Sequence, residues 1–308
     1  MSIVLISDRD TNAWTQALKN AAPDVDLRIH PEDGNPREVE YALVWNHPTG
    51  IFKKYPNLKV IASMGAGVDH ILSDPELPKG VVVTRIVSEQ LATDMAEFVL
   101  ALVLGHLRNL AWYKETEREQ EWKFEPYLRI KEVKVGIMGL GHLGKTVAKQ
   151  LLATGFRVHG WSRRPKDIAG VRSFSGPDQL KAFLAESRFL ICLLPLTPET
   201  DSILNAELFA QLPRDSFLIN VARGRHLVEE DLIDALDSGQ LAAASLDVFR
   251  EEPLPGQHPF WMHPKVQVTP HIASVTQPSS VVNQVLDNYQ RMRKGQALLH
   301  VVERHQGY

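Results

Sequence analysis

Three side chains in the C-terminal half of the chain have the types and positions to handle a carboxylate and a proton. Arg223 stands in Asn220-Val-Ala-Arg-Gly224, Glu252 in Asp247-Val-Phe-Arg-Glu-Glu-Pro253, and His271 in Thr269-Pro-His271. An arginine at a strand end, beside a glycine, can grip a carboxylate with a planar fork and polarise an adjacent carbonyl. Histidine is the usual general acid near neutral pH, and a neighbouring carboxylate orients its ring and favours its proton. Singly, each has a plainer reading: Arg223 as an ion pair, Glu252 as a loop charge, His271 as a hydrogen-bonded core histidine. All three follow strand-like segments, where open α/β sheets bind ligands, and together they predict a catalytic set.

Upstream, an alternating apolar strand over 133–138 runs into Gly139-Leu-Gly-His-Leu-Gly144, with a helix expected from Lys145 to Thr154. This is the pattern of a dinucleotide pyrophosphate site. Gly139 permits the tight turn, Gly141 lets the backbone approach the phosphates, and Gly144 lets helix and strand pack closely. The amides at the helix start, around His142 and Leu143, face the anion. The next strand, Arg157 to Trp161, should end in Asp or Glu for an NAD ribose, but the chain reads Ser162-Arg163-Arg164-Pro165. A hydroxyl and two guanidiniums suit a 2′-phosphate, so the expected cofactor is NADP(H); the competing reading is two solvated surface charges.

The elements that must position these residues alternate strand and helix. Strands are predicted at 133–138, 157–161, 189–194, 217–221, 242–248 and 266–269, with helices at 178–185, 205–211 and 229–237: a Rossmann-type doubly wound parallel sheet. Before it come strands at 3–7, 27–29, 41–45, 58–63 and 81–84 and helices near 12–20, 51–55 and 88–110, a smaller flavodoxin-like α/β domain. A final helix, 277–294, should return to that first domain. The expected division is 1–97 with 277–308 as substrate domain and 98–276 as dinucleotide domain, the active site lying in the cleft between.

At 308 residues the chain suits two cores. Its 44% hydrophobic and 23% charged content is ordinary for a globular protein, and a formal net charge of −3 argues against nucleic acid or an anionic membrane as partner. The apolar run Phe98 to Trp112 is interrupted by His106 and Arg108. It reads as a helix buried between domains or subunits, emerging into solvent at Lys114 to Trp122, rather than as a membrane span. The single cysteine, Cys192, reads as a buried small hydrophobe, and a cytoplasmic location is expected. No metal site is predicted.

Over essentially its full length the chain resembles the D-isomer-specific 2-hydroxyacid dehydrogenase family. The resemblance rests on Gly139-Leu-Gly-His-Leu-Gly144, Leu194-Pro-Leu-Thr-Pro-Glu-Thr200, Asn220-Val-Ala-Arg-Gly224, Asp247-Val-Phe-Arg-Glu-Glu-Pro253 and Thr269-Pro-His271. Trp161-Ser-Arg163, the Pro-His-Ile-Ala-Ser ending and Gly307-Tyr308 are most similar to the branch that reduces glyoxylate and hydroxypyruvate. The resemblance implies hydride transfer from NADPH to a small 2-oxo acid, with Arg223 binding substrate, His271 donating the proton and Glu252 supporting His271. It implies cofactor contacts at Leu194, Pro195, Thr200, Val221, Ala222 and Asp247, besides the glycine turn and Ser162, Arg163 and Arg164. The family's glycine-rich substrate loop is matched by Ser63-Met-Gly-Ala-Gly-Val-Asp69. Two glycines after a strand expose amides, here around Ala66 and Gly67, that can bind a carboxylate; the plainer reading is a turn into a short helix. Trp45 either walls off the pocket or belongs to the core. A homodimer through the 95–112 helix is expected. The alternatives are another D-2-hydroxyacid dehydrogenase, of D-lactate or D-glycerate type, or a nucleotide-sensing regulatory binding protein.

Overall fold

The computed structural model describes residues 2–307, which separate into two compact units. One runs through Gln90 and resumes at Thr276; the other is Leu91–Val275. The expected Tyr308 signature lies outside the described residues.

The first unit is a five-stranded parallel sheet of β1 (Ser2–Ser7), β2 (Asp26–Ile29), β3 (Val39–Trp45), β4 (Val60–Ser63) and β5 (Val82–Thr84), in the order β2-β1-β3-β4-β5. That is the flavodoxin-like order. Its inner strands read as near-continuous apolar runs because both faces are covered: Ile3, Val4, Leu5, Tyr41, Ala42, Leu43 and Val44 are all fully buried. Helix α1 (Asn12–Ala21) buries Trp14 and Leu18. The C-terminal helix Pro278–Arg293 belongs to this unit, where Tyr289 meets Tyr41 edge to face at 5.8 Å. Beyond it the chain bridges β5, with the Val302 amide donating to the Val83 carbonyl. A short helix, α2 (Asp69–Leu72), follows β4.

The second unit holds α3 (Glu89–Leu107) from Leu91 onward, α4 (Leu110–Arg118), β6 (Lys134–Met138), α5 (His142–Ala153), β7 (Arg157–Ser162), β8 (Arg172–Ser175), α6 (Leu180–Leu184), β9 (Phe189–Cys192), α7 (Ala206–Ala210), β10 (Ser216–Asn220), α8 (Glu229–Asp237), β11 (Leu241–Leu246) and β12 (Val266–Val268). Its seven parallel strands run β12-β11-β10-β9-β6-β7-β8. The order reverses between β6 and β9, which makes that edge the switch point of a doubly wound sheet. Apolar side chains fill both faces, one around Val135, Ile137, Val147, Leu151 and Ile191, the other around Leu190, Phe183, Leu218 and Leu246.

Three local differences from the sequence reading have physical causes. The expected domain boundary at 97/98 falls inside α3, which starts at Glu89; Met95 and Ala96 already pack in the same core as Val99, Val103 and Val135, so the division comes earlier. The apolar run does not continue as one helix into Lys114–Trp122. Asn109 takes a left-handed conformation (φ 55°) and separates α3 from α4, and Trp122 and Phe124 beyond α4 are exposed. The edge strand β8, Arg-Ser-Phe-Ser, was not legible as a strand because only Phe174 of its four residues is apolar and buried. By length and composition α3 could cross a membrane, yet Leu91, Ala92, Val99, Leu102, Val103 and Leu107 are core residues of this unit. Cys192 is fully buried in β9, and burial pushes its thiol up to about 12.

Candidate active site

The turn after β6 has the glycine geometry that a dinucleotide demands. Gly139 sits at φ 104°, donates its amide to the Trp161 carbonyl, and leaves no room for a side chain: a Cβ there would lie 2.5 Å from the Leu193 carbonyl oxygen at the end of β9. A Cβ on Gly144 would come within 1.9 Å of the Gly139 carbonyl oxygen, so helix α5 packs on its strand only with glycine there. Gly141 differs, since a Cβ would meet nothing within 4 Å. The hydrogen-bond ladder of α5 begins with Lys145 donating to Gly141, and the amides ahead of it point out of the helix into this open space. Residues and geometry therefore fit a pyrophosphate.

At the end of β7 the Ser162 hydroxyl donates to the Arg164 carbonyl at 2.7 Å, which folds the Ser-Arg-Arg turn and leaves both arginines exposed. The charge of Arg163 helps hold the Glu199 carboxyl below its usual range, after the stronger effect of the Thr197 hydroxyl. Glu199 lies in the loop that follows β9. That loop is closed by Thr200, whose hydroxyl donates to the Pro195 carbonyl at 2.7 Å and accepts the Thr197 amide at 2.8 Å. Leu194, Val221 and Ala222 are buried beside it at the ends of β9 and β10.

Arg223 leaves β10 in extended conformation and is partly buried. Its position is fixed by Asn220, a fully buried residue whose side chain donates to the Arg223 carbonyl at 3.0 Å and accepts the Ala222 amide at 3.2 Å. The guanidinium donates to the Ala222 carbonyl at 2.7 Å. Gly224 is required next: a Cβ there would stand 1.8 Å from the Phe249 carbonyl carbon, so the Arg223 turn is pressed onto the loop that carries Glu252.

Glu252 is bonded at both oxygens. One accepts the Phe249 amide at 3.0 Å and the other lies 2.7 Å from His271 Nδ1. Burial works to raise the Glu252 carboxyl, but the hydrogen bond and charge of His271, the Phe249 amide and the charge of Arg223 together hold it below the usual carboxylate range. It stays ionised at neutral pH and orients the imidazole so that Nε2 faces away. Both side chains keep some exposure, 24% for His271 and 31% for Glu252, so a small molecule can reach them.

Asp247, 1% exposed, has another part in this arrangement. Its carboxylate accepts the Ile272 and Ala273 amides, each at 2.9 Å, and the Thr269 hydroxyl at 2.6 Å, while its carbonyl accepts the His271 amide at 2.8 Å. These bonds hold His271 at φ 53°, a left-handed backbone that non-glycine residues seldom adopt. The sequence reading took Asp247 and Thr200 only as cofactor contacts and missed that both bind their own loops. It also missed Asn220, although a lone Asn closing an apolar strand is a signal for such a clamp.

In the first unit, the Ser63 hydroxyl donates to the Gly67 carbonyl at 2.7 Å and accepts the Gly65 amide at 3.1 Å, closing the turn before α2 and leaving Ala66 and Gly67 partly exposed. Trp45 packs on this turn. A Cβ on Gly65 would lie 2.7 Å from its ring, His70 meets its other surroundings at a 4.8 Å centroid distance, and the Arg9 guanidinium lies 5.4 Å from the ring centre.

A dinucleotide turn at the switch point of a doubly wound sheet, followed on neighbouring strands by a carboxylate-oriented histidine and a clamped arginine, defines an α/β oxidoreductase. Similarity to known proteins agrees. The pattern of the D-isomer specific 2-hydroxyacid dehydrogenase NAD binding domain matches residues 100–273. Glyoxylate/hydroxypyruvate reductase A of Serratia proteamaculans is 44% identical over 301 residues, 96% of each chain. A D-isomer specific 2-hydroxyacid dehydrogenase from Xanthobacter autotrophicus, solved with NADPH and MES, superposes with a TM-score of 0.94 at 42% identity, covering 100% of this chain and 99% of that one. An NADPH-dependent glyoxylate/hydroxypyruvate reductase from Sinorhizobium meliloti, solved with NADP and sulfate, gives 0.94 at 39% identity with both chains fully covered. The chain belongs to the D-isomer specific 2-hydroxyacid dehydrogenase family.

Proposed function

We propose that the protein reduces small 2-oxo acids with NADPH, glyoxylate to glycolate and hydroxypyruvate to D-glycerate. The observation that carries this reading is the 2.7 Å contact between Glu252 and His271, close enough to Arg223 for its charge to act on Glu252. The relatives from S. proteamaculans and S. meliloti support the substrate class.

NADPH, when bound, supplies the hydride. The chain binds it through the Gly139–Gly144 turn and the first turn of α5, with Ser162, Arg163 and Arg164 toward the 2′-phosphate and Leu194, Pro195, Thr200, Val221 and Ala222 lining the rest. Arg223 grips the substrate carboxylate with its fork and polarises the 2-oxo group. In the first unit, the amides around Ala66 and Gly67 are suited to a carboxylate, and Trp45, packed on that turn, limits the size of what binds there. His271 gives its Nε2 proton to the oxygen as it becomes a hydroxyl, and Glu252 at Nδ1 stabilises the protonated ring beforehand. We assign the protein to the cytoplasm as a homodimer, built through the 95–112 segment that joins the end of α3 to the start of α4. The exposed Leu110 within it and Trp122 and Phe124 beyond α4 support a second copy as their cover, which light scattering would check.

The test is NADPH consumption with glyoxylate, hydroxypyruvate and acetaldehyde. Acetaldehyde has no carboxylate for Arg223, so it should react very poorly. Arg223→Lys should lose most activity on glyoxylate, because an ammonium keeps the charge but not the planar fork. Comparable rates on acetaldehyde and glyoxylate would overturn the assignment of Arg223.

A further inference from the structure

His226 has no part in the reaction as described, yet it is fully buried (0% exposed) between the substrate arginine and the loop that follows β9. Its Nδ1 lies 3.1 Å from the Arg223 carbonyl oxygen and its Nε2 3.3 Å from the Pro195 carbonyl oxygen. The backbone around it is pinned on both sides. Its amide donates to the Arg223 carbonyl, and its own carbonyl accepts the Leu204 amide at 2.8 Å. The ring is thereby aimed, and it spans two loops that do different work.

We propose that His226 is a positioning residue that couples substrate recognition to the cofactor-side loop. The inference rests on the reading of Arg223 as the carboxylate ligand and of Leu194–Thr200 as a cofactor contact. On the Arg223 side, the carbonyl that fixes the arginine accepts from the Asn220 side chain and the His226 amide and faces Nδ1 of the His226 ring, so removing the ring loosens the base of the guanidinium. On the other side, the Pro195 carbonyl accepts the Thr200 hydroxyl and faces the His226 ring, so the same change loosens the loop. Carbonyl oxygens only accept, so a neutral ring donates to one of them at a time; with a nitrogen aimed at each, the two tautomers serve the two loops in turn.

The two sides can be separated chemically. An Asn amide reaches about as far as Nδ1 and a Gln amide about as far as Nε2. His226→Phe, which keeps a ring without a donor, should raise KM for glyoxylate and Kd for NADPH by a few-fold each, roughly tenfold in combination, the effect of one lost buried hydrogen bond shared between the two sides. His226→Asn should restore KM for glyoxylate but not Kd for NADPH, and His226→Gln should do the reverse. NADPH binding is read by fluorescence, KM and kcat by NADPH consumption, and the thermal midpoint is recorded beside them. A residue that merely supports the fold would lower the midpoint of all three variants without separating the two constants, and that result would overturn the proposal. Arg223→Ala serves as the control. If it leaves KM for glyoxylate unchanged, the reading of Arg223 fails and this inference fails with it. If it raises KM while the His226 variants show no split, the inference alone is lost.

Discussion

The Glu252 carboxylate and the His271 ring meet at 2.7 Å although they lie in different loops, and the acceptor is held from behind by the Phe249 amide at 3.0 Å. This makes Nδ1 the donor to Glu252 and leaves Nε2 as the nitrogen available for the proton transfer proposed above.

His271→Ala should lose about 10²- to 10⁴-fold in kcat, the range for a positioned general acid. Glu252 works as a carboxylate whose proton affinity is depressed in the folded protein. Its contribution is complete above the ordinary carboxylate range and disappears only as pH falls through its lowered value. Reduction should therefore show an acidic limb set below that of an ordinary glutamate. Glu252→Gln should lack this limb and run slower throughout. A limb that persists unchanged in Glu252→Gln would assign it to another group.

Gly141 and Gly144 separate binding from folding. Gly141→Ala adds a methyl to open space, so the melting temperature should stay the same while Kd for NADPH rises. Gly144→Ala puts a methyl within 1.9 Å of the Gly139 carbonyl oxygen, so α5 must shift and both stability and binding should fall. Thermal melts with and without NADPH check both, and equal melting losses in the two variants would contradict the packing described for Gly144.

The exposed Arg163 and Arg164 form the turn after β7 that we propose for the 2′-phosphate. Replacing both with Ala should weaken NADPH binding while leaving NADH nearly unchanged. Each charged hydrogen bond lost corresponds to about 1.5–3 kcal/mol, roughly tenfold to a hundredfold. Binding titrations with the two cofactors decide the matter, and equal losses for both would mean that the arginines are only solvated surface charges.

Acid should unfold the second unit through two histidines. Burial lowers His106 and His159 to about 4 each, despite the pull of the Phe183 carbonyl on His159, and both rings hydrogen-bond serine at 2.8 Å (Ser245 and Ser187). The native state keeps these rings neutral, whereas the unfolded chain takes up protons near pH 6.5. Stability is thus complete above about pH 6.5 and declines as pH falls toward 4, by at most about 3 kcal/mol per histidine. Urea midpoints measured across this window should fall steadily. The His106→Gln, His159→Gln double variant, though weaker near neutral pH, should have a flatter acid slope; an unchanged slope would rule the pair out as its cause.

Local pattern was sufficient for the glycine turn, the strand-helix rhythm and the choice of Arg223, Glu252 and His271 as candidates, because each is encoded in a few adjacent residues. Apolar runs announce buried strands, and a Gly-x-Gly-x-x-Gly turn has one main structural use when a strand precedes it and a helix follows. Tertiary structure decided what depends on partners far away in sequence. Met95 and Ala96 join a core whose strands begin some forty residues later, so the unit boundary precedes the apolar run that suggested it. Phe174 is the one apolar side chain of an edge strand, recognisable only by its pairing with β7. Asp247 looks like a ligand in its motif, yet its oxygens are bonded to Thr269, Ile272 and Ala273 because a buried carboxylate must find donors, and in this fold the nearest are those that hold His271 in its strained backbone.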